Sequence, residues 1–579
     1  MHEFDTLNDA LLARRHSNST VRFIAASRDD RVLGYGDVFA LARDRLGLFR
    51  DRGIGTGDEL IISVTDNLDF VVAFWACLLG GIVAVPIAAG STEEHRLKLL
   101  RVAGKLSQPA LFVDRKAASR LAAMAAGGEH EARWQLLESR VVYTEETAPL
   151  VADDADSKAD PSRIPAWVHP ASPDSIAFIQ FSSGSTSAPK GVVLTHGNLV
   201  ANLAMIMQGM AISADDSVFS WMPLTHDMGL IGMHLTPLLA DCDNMLMATE
   251  LFVRRPAAWL QRVSELRASI TSSPNFGYQH LLRNWDEDRH GPVDLASVRL
   301  IFNGAEPISA ELCEAFMTRL AGSGLDSDAM FPVYGLAEAS LAVSFPPLDA
   351  RWQVESLDRG QLGVGQQVMR QATGKSAIRL VSVGQPLDGV EVAIRDRNGI
   401  ALAQEHVGRV HIRGPNVTRG YLDAPDINRE LISDDGWLDT GDLGVIIDGR
   451  LYITGRDKDI LFVSGLNVYP HDLEDVLIRD TSLERGKLAV SSRRSSDNSE
   501  DELLVFVQHR GDTDAFVDTV RTVTRVLAMK AGVKVSAVIP TPRIPRTTSG
   551  KVQRFALVEQ YANGELVAVM DPRNVAGNT

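Results

Sequence analysis

The sequence predicts an α/β protein, with a large multi-sheet N-terminal domain (residues 1–456) and a small, mobile α+β C-terminal domain (residues 457–579). Three observations lead to this prediction. The chain has 579 residues, which is too long for one ordinary hydrophobic core. Strand-like and helix-like patterns alternate in its first 150 residues. An abrupt run of charges in residues 451–461 then separates two apolar regions and is typical of a solvated hinge.

The composition and the net charge reduce the number of functions that the chain could have. Hydrophobic residues make up 45% of the chain and charged residues 23%, as in a soluble globular protein. The net charge of −16 disfavours a nucleic-acid partner or an anionic membrane surface. Cys77, Cys242 and Cys313 are widely spaced, which indicates buried thiols in a reducing compartment and neither disulfides nor a metal site. We therefore expect a cytoplasmic protein.

One stretch imitates a membrane span. Residues 70–90 carry no charge and are numerous enough to cross a bilayer. Gly80, Gly81 and Pro86 interrupt them, so we predict a buried helix over 68–79 and a buried strand over 82–87. The N-terminus also lacks the apolar core of a signal peptide, and no stable membrane insertion is expected.

The elements before residue 175 follow from local patterns. Asp37 caps a predicted helix that runs to about residue 49. Residues 151–174, rich in Ala, Asp, Ser and Pro, form a predicted connector. The predicted strands are 20–24, 31–33 and 59–64.

The chain is organised around residues 181–191, FSSGSTSAPKG, which lie between two strand-like runs. Their hydroxyl and backbone N–H groups can surround a phosphate, and Lys190 adds a positive charge. This is not the phosphate loop of P-loop kinases, because Pro189 precedes the lysine where that motif has glycine, and Gly191 follows it where that motif has serine or threonine. A Ser/Gly surface turn is the alternative.

Beyond this loop, Asn198 is predicted to cap a helix. Residues 219–232, FSWMPLTHDMGLIG, are apolar except around His226 and Asp227. A single histidine in such a run is more often a hydrogen-bonded core residue than a catalyst. The sequence alone leaves both alternatives open.

Two later motifs share one design. A strand over 299–302 ends at FNGAEP, and FPVYGLAEASLAVS places Tyr334 and Gly335 in a turn just before Glu338. Loops at the carboxyl ends of strands bind ligands in open α/β sheets. Glycine lets the backbone approach a ligand, and a carboxylate can hold a hard cation.

The rest of the chain contains an irregular segment over about 345–377 and then predicted strands at 379–383, 390–395 and 409–413. WLDTGDLG places Asp439 and Asp442 in a predicted glycine turn. In the small domain we predict strands over 503–508 and 533–539, a helix over 514–529, and a basic loop that carries Lys551.

Five motifs together resemble the adenylate-forming enzymes, in the order of that family and over nearly the whole chain: FSSGSTSAPKG, VYGLAEAS, DTGDLG, GRDKD and PRTTSGK. PLTHDMGLIG, SPNFGYQHL, FNGAEPIS and WQVESLDRG are most similar to the fatty acyl-AMP ligases. Ser182 stands where threonine is usual, and Ser187 where glycine is common. Neither departure changes the implied reaction class.

The resemblance implies activation of a medium- or long-chain fatty acid with ATP and Mg²⁺. The acyl group then passes to a phosphopantetheinylated acyl carrier protein of a polyketide or nonribosomal peptide type pathway. Residues implied for the pyrophosphate side are Ser182, Ser183, Gly184, Ser185, Thr186 and Lys190. Those implied for adenine are Asn303, Gly304, Ala305, Glu306, Tyr334 and Gly335.

Further roles follow from the same resemblance. Asp442 would accept hydrogen bonds from the ribose hydroxyls, with Arg456 close by, and Lys458 would be the hinge. The catalytic candidates are Lys551, Glu338 and His226, with Glu338 also the magnesium ligand. The apolar residues expected to line the acyl pocket are Trp221, Met222, Met228, Leu230, Ile231 and Phe276.

Two alternative functions are a long-chain acyl-CoA ligase and a catalytically inactive adenylate-binding protein. An inactive protein is expected to have lost Lys551 or Glu338, and both are present. The choice of thiol is linked to residues 345–377, because an insertion there restrains the small domain in the fatty acyl-AMP ligases. Trp352, Val354 and Leu357 are apolar anchors for such packing.

Overall fold

The computed structural model describes residues 3–90, 92–146, 164–181, 189–348, 350–463, 466–494, 501–546 and 552–569. It confirms the predicted fold class: an α/β protein with a large N-terminal part of several sheets and a small C-terminal sheet domain. The last strand of the large part, Arg450–Arg456, is followed by a single 3₁₀ turn, Asp457–Asp459, before the small part begins.

A six-stranded sheet contains the strands on both sides of the central loop. All of its neighbours are parallel except the last two, which are antiparallel and pair Phe181 with Gly191. In spatial order the strands are Val141–Tyr143, Pro109–Val113, Glu59–Ser63, Val83–Pro86, Ile176–Phe181 and Gly191–Thr195.

The uncharged stretch is a buried helix and strand, as predicted. The helix is Asn67–Gly80, and Gly81 ends it with a φ of 68°, which an L-residue adopts only with strain. The strand Val83–Pro86 follows inside the six-stranded sheet. Within the described ranges, no helix combines the length and the apolarity needed to cross a bilayer.

A seven-stranded sheet positions the candidate site. Its strands are parallel apart from the terminal pair of Thr20–Ile24 with Arg31–Gly34, so most carboxyl ends meet at one edge. In spatial order the strands are Met330–Pro332, Leu300–Asn303, Ile270–Ser273, Ser217–Ser220, Asp243–Met247, Thr20–Ile24 and Arg31–Gly34.

Helices cover these two sheets. Those described in the large part are Leu7–Arg14, Tyr35–Asp51, Asn67–Gly80, Glu93–Ala103, Arg115–Ala125, Glu131–Glu138, His196–Met210, Thr236–Ala240, Thr249–Arg254, Ala257–Leu266, Asn275–Asn284, Glu287–His290, Ala310–Leu320 and Pro425–Leu431. One cap differs from the prediction, because Thr195 and not Asn198 caps the helix His196–Met210. Asn198 is the third residue of that helix and completes a capping box, since its side chain accepts the backbone N–H of Thr195.

Smaller sheets complete the large part. One joins Tyr334–Gly335, Ala342–Phe345 and Gln385–Pro386, and another pairs Val354–Asp358 with Ala377–Val381. The predicted irregular segment therefore contains a strand. A four-stranded antiparallel sheet consists of Glu391–Arg395, Gly408–Arg413, Leu438–Ile447 and Arg450–Arg456.

The small part has its own core. Its strands are Leu461–Val463, Leu466–Val468, Leu488–Arg494, Asp501–Gln508 and Ala537–Thr541, and its helices are Pro470–Asp480, Thr513–Lys530 and Arg554–Ala562. The strand predicted over 533–539 begins at Ala537 instead. Val533 and Val535 are buried in the preceding loop, which gives that loop an alternation typical of a strand.

The three cysteines are free and buried. Burial raises the pKa of the Cys242 and Cys313 thiols to about 12, so both are neutral at physiological pH. They belong to the core of the large part, as expected.

Candidate active site

A cavity of about 1830 Å³ lies between the large and the small part. Loops at the carboxyl ends of the seven-stranded sheet form one wall, and the four-stranded sheet and the small part form the others. Twelve of the predicted site residues line it: Lys190, His226, Met228, Phe276, Ala305, Glu306, Tyr334, Gly335, Glu338, Asp442, Arg456 and Lys458.

Asp442 is the centre of one polar wall. Its strand, Leu438–Ile447, pairs with Arg450–Arg456 so that Asp442 and Arg456 are direct cross-strand partners. Asp442 is only 6% exposed, and its carboxylate accepts the Tyr334 hydroxyl at 2.7 Å and Arg456 Nε at 2.9 Å. Burial and the Asp442 charge raise the pKa of Tyr334 well above its usual value. The hydroxyl therefore stays protonated and donates to the carboxylate.

The sequence predicts a glycine turn that contains Asp439 and Asp442, and this prediction is wrong. Both belong to one strand, which is irregular where it pairs with each of its neighbours. Gly441 has a φ of 72°, and this conformation re-aims the strand locally.

Asn303, the last residue of its strand, is not among the residues that line the cavity. It is fully buried and donates to Asn275 Oδ1 at 3.1 Å. Gly304 does not line the cavity either, whereas Ala305 and Glu306 do. Glu306 Oε1 accepts the backbone N–H of Phe276 at 2.6 Å, which links the turn to a neighbouring loop.

Gly335 is needed because the backbone comes very close to it. A Cβ atom at this position would lie 1.9 Å from the carbonyl oxygen of Leu341. Any larger residue would push apart the strand pair Tyr334–Gly335 and Ala342–Phe345, on which the tyrosine is presented to the cavity.

Glu338 lies in the 3₁₀ turn Ala337–Ala339 and lines the cavity. Its Oε1 accepts the hydroxyl of Tyr421 at 2.6 Å, and Lys190 Nζ lies 4.9 Å from the centre of the Tyr421 ring. Tyr421 was not predicted from sequence. Burial and the Glu338 carboxylate raise the pKa of Tyr421 above its usual value, so it is the hydrogen-bond donor.

Glu338 has the chemistry to hold a magnesium ion. Mg²⁺ commonly binds one or two carboxylates and takes its remaining ligands from phosphates and water. Among the described residues, no three His, Cys, Asp or Glu side chains form a metal cluster. An ion at Glu338 would therefore need ligands from the substrate, from water or from residues outside the described ranges.

The structure distinguishes His226, in the apolar run over 219–232, from His234, which follows that run. His234 is fully buried, where Trp75 Nε1 donates to its Nε2 and its Nδ1 bonds to Asn244, so it is a core histidine. His226 instead lines the cavity and pairs with Asp227 at 2.6 Å. The π-helix Met228–Leu235 begins directly after this pair. π-Helices are rare in proteins, and those that occur lie frequently at functional sites.

Only part of the predicted acyl pocket reaches the cavity. Trp221, Leu230 and Ile231 are fully buried, and Trp221 packs behind Phe276 with ring centres 5.7 Å apart. Met222 is buried in the same core. Besides Met228 and Phe276, the apolar residues that line the cavity include Ile206, Met210, Met233, Phe302, Val333, Leu341, Ala342 and Phe345.

The remaining predicted residues are the hinge candidate, Lys458, and the candidates in the central loop and in the basic loop of the small part. Lys458 is exposed in the 3₁₀ turn between the two parts. The predicted residues that lie outside the described ranges are Ser182, Ser183, Gly184, Ser185, Thr186 and Lys551.

Three curated proteins are similar over nearly the whole chain. The long-chain fatty-acid–AMP ligase FadD32 of Mycolicibacterium smegmatis is 31% identical, covering 88% of this chain and 86% of that protein. The medium-chain fatty-acid–[acyl-carrier-protein] ligase JamA of Moorena producens is 29% identical, covering 97% and 96%. A Caulobacter vibrioides protein with the provisional name acyl-CoA synthetase is 31% identical, covering 93% and 90%.

Solved structures agree with these relatives. One from a study of fatty acyl-adenylate ligases of E. coli and L. pneumophila superimposes with a TM-score of 0.84 and is 29% identical. The alignment covers 97% of this chain and 98% of that one. The model of the family described as AMP-binding enzyme matches residues 13–422. This chain therefore belongs to the AMP-binding enzymes, the superfamily that forms adenylates.

Proposed function

We propose that this adenylate-forming ligase activates a medium- or long-chain fatty acid with ATP and transfers the acyl group to the phosphopantetheine thiol of an acyl carrier protein. One observation carries the proposal. A single cavity combines the polar wall of Tyr334, Asp442 and Arg456, the carboxylate of Glu338 and a set of apolar side chains. The polar wall suits a nucleotide, the carboxylate suits a metal-bound phosphate, and the apolar side chains suit an acyl chain.

In the first step, a carboxylate oxygen of the acid attacks the α-phosphorus of ATP, and the bond to pyrophosphate breaks. In the second, the carrier thiolate attacks the acyl carbonyl and AMP leaves. Enzymes accelerate phosphoryl chemistry of this kind mainly by positioning and by stabilising charge. Magnesium held by Glu338 would neutralise charge on the phosphates.

This chain's own residues then have separate tasks. Asp442 and Tyr334 hold the nucleoside, and Lys190 lies on the side proposed for pyrophosphate. The His226–Asp227 pair, beside Met228, is proposed to contact the acid at the entrance of the apolar region. Lys551 is proposed to lie between the carboxylate and the α-phosphate, as the family resemblance implies.

The acid is proposed to be apolar because the cavity offers it an apolar surface. Each buried CH₂ group contributes about 0.8 kcal/mol, so a long chain gains far more than acetate. The names of FadD32 and JamA support long-chain and medium-chain acids respectively. These names do not agree on chain length, and the proposal covers both classes.

The decisive experiment follows pyrophosphate release with ATP, Mg²⁺ and acetate, octanoate, dodecanoate or benzoate. We expect octanoate or dodecanoate to give the fastest release, because only these acids fill the apolar region. Mass spectrometry then identifies the product with CoA, with phosphopantetheinylated carrier protein, or with the carrier protein lacking its prosthetic group as a control. A preference for acetate or for an amino acid would refute the proposed substrate class.

The proposed acceptor depends on how the small part is held. Residues 345–377 contact it through Arg359, whose guanidinium forms two hydrogen bonds to Asp472, one of them Nη2 to Oδ1 at 2.9 Å. Both side chains are almost completely buried. The hydroxyl of Tyr469 also donates to the Leu362 carbonyl at 3.1 Å.

Apolar packing adds to these polar contacts. Leu357 and Leu362 are fully buried in one cluster with Ile460 and Tyr469. Breaking a buried ion pair by removing one partner costs about 3–5 kcal/mol, because the remaining charge stays desolvated. The segment thus opposes rotation of the small part. A carrier protein can supply docking energy to offset this cost, whereas free CoA brings less binding surface.

Replacing Arg359 with Ala is expected to raise acyl-CoA formation at least tenfold, while pyrophosphate release stays within about threefold of the wild type. The change removes the buried ion pair between the two parts and leaves their other contacts in place. A shift of about 1.4 kcal/mol already changes a population tenfold. Deleting the whole segment would be a poorer test, because Leu357 and Leu362 belong to the core. The readout is the ratio of CoA thioester to carrier-protein thioester by mass spectrometry.

Arg379→Ala is the matched control, because the ion-pair partners of Arg379 among the described residues are Glu311 and Glu314, both in the large part. It should leave the ratio unchanged. Unaltered acyl-CoA formation by Arg359→Ala would contradict the restraint. Efficient acyl-CoA synthesis by the wild type would make the protein an acyl-CoA ligase, the second candidate, which the name of the Caulobacter vibrioides relative favours.

A further inference from the structure

Residues 414–422, here called the connecting segment, join two motifs that are far apart in the sequence. On one side, the backbone N–H of Thr418 donates to the Glu338 carbonyl at 2.8 Å. On the other, the N–H of Leu422 donates at 2.8 Å to the carbonyl of Gly191, the last residue of the central loop. The segment thus fixes the magnesium-ligand candidate relative to the phosphate-binding candidate.

Tyr421 is the residue of this segment that contacts both motifs with its side chain. Its hydroxyl donates to Glu338 Oε1 at 2.6 Å, while its ring faces Lys190 Nζ at 4.9 Å. Tyr421 is 8% exposed, so neighbouring atoms restrict its ring. Its backbone pairs with Val192, which fixes the position of its main chain beside the end of the central loop. One rigid side chain therefore touches the two charged groups.

We propose that Tyr421 is a positioning residue of the adenylation step: its hydroxyl orients the Glu338 carboxylate toward a magnesium ion, and its ring orients the Lys190 ammonium toward the phosphates. This inference rests on the proposed function. The Tyr421 bond occupies Oε1 of Glu338, and within the described residues Oε2 accepts no hydrogen bond. Tyr421 thus holds one carboxylate oxygen, and no hydrogen bond from a described residue competes with a magnesium ion for the other.

The physical reason is pre-organisation. Hydrogen-bond partners of metal-binding carboxylates fix their orientation, and losing such a partner lowers metal affinity about tenfold to a hundredfold. A cation over an aromatic face is attracted by the ring quadrupole, with a preferred position that an aliphatic side chain cannot provide. If Tyr421 merely filled the core, replacing it with Phe would change neither magnesium nor ATP binding.

The test measures binding of ATP by calorimetry across magnesium concentrations, without any acid substrate. Tyr421→Phe removes only the hydroxyl, and Tyr421→Leu removes the aromatic face as well. Each is combined with Glu338→Gln and with Lys190→Met in double-mutant cycles. Tyr35→Phe is the control, because Tyr35 is also buried and its hydroxyl donates to the Cys242 carbonyl at 3.2 Å, in the core.

We expect Tyr421→Phe to raise the magnesium concentration for half-maximal ATP binding about tenfold. This effect should disappear in the Glu338→Gln background and persist with Lys190→Met. Tyr421→Leu should weaken ATP binding about threefold to tenfold further, and only while Lys190 is present. Tyr35→Phe should bind as the wild type does.

Three outcomes would overturn the inference. The magnesium titration of Tyr421→Phe could overlay that of the wild type, or its effect could add to that of Glu338→Gln. Tyr35→Phe could also show the same shift, which would indicate a general effect of removing a buried hydroxyl. A wild type that binds no ATP at any magnesium concentration would instead refute the proposed function itself.

Discussion

Replacing Asp442 with Ala is expected to lower kcat/KM for ATP on the order of 100-fold or more. The carboxylate is proposed to accept both ribose hydroxyls, and a hydrogen bond to a charged group contributes about 1.5–3 kcal/mol. The change also leaves the Tyr334 hydroxyl and the Arg456 guanidinium without the partner that now holds them. Steady-state pyrophosphate release at varied ATP concentration measures the effect.

Asp439→Ala is the matched control on the same strand. Asp439 also lines the cavity, where it forms a salt bridge to Arg409 at 2.8 Å and accepts the backbone N–H of Gly441 at 2.9 Å, and no substrate contact is proposed for it. A partly exposed pair of this kind contributes at most about 1 kcal/mol, so kcat/KM should change less than about fivefold. If the two variants lose equal activity, the loss reflects damage to the strand, and the ribose assignment of Asp442 fails.

Replacing Lys551 with Ala is expected to slow acyl-AMP formation on the order of 100-fold. A charge contact made in the transition state is worth about 2.7–4 kcal/mol. The expectation comes from the motif PRTTSGK, since Lys551 lies outside the described residues. The residues that follow, Val552 and Gln553, line the cavity. Single-turnover pyrophosphate release with octanoate or dodecanoate is the measurement.

Lys530→Ala tests whether losing any lysine of the small part has this effect. Lys530 ends the helix Thr513–Lys530 and forms a half-exposed ion pair with Asp480. Its removal should leave the rate within about twofold, because exposed ion pairs contribute little. Near-normal pyrophosphate release by Lys551→Ala would contradict the catalytic role, provided that circular dichroism shows both variants folded.

The sequence was sufficient for the parts of the site that are local in the chain. The motif around Tyr334 and Glu338, and the motif around Asp442, each combine glycine with a polar residue next to a strand, and the structure places both on the cavity. The Tyr334 motif follows the parallel strand Met330–Pro332, whose carboxyl end lies at the ligand-binding edge of its sheet. Asp442 lies on an antiparallel sheet, to which this rule does not apply. The strand Thr20–Ile24 has the predicted bounds for a similar reason, since its pattern is purely local.

Contacts between residues that are far apart in the chain could not be predicted from the sequence patterns. Tyr421 meets Glu338 across 83 positions, and the motif RGYLDAP contains no signal for that contact. The apolar run around Leu230 and Ile231 shows the same limit. A helix buried on all sides has no periodicity that reveals which side chains face a cavity. The predicted turn at Gly441 was wrong because a glycine with positive φ also occurs inside a strand.

The π-helix Met228–Leu235 makes this region sensitive to chain length as well as to side-chain identity. Its wide hydrogen-bond pattern accommodates an extra residue in the turn. Deleting one residue would let the segment relax to an ordinary α-helix, with the preceding residues rotated by about 100°. His226 and Asp227 would then leave the cavity wall although neither had been replaced. Homologues that keep the pair are thus expected to vary here by substitution, and those with a shorter segment to have lost it.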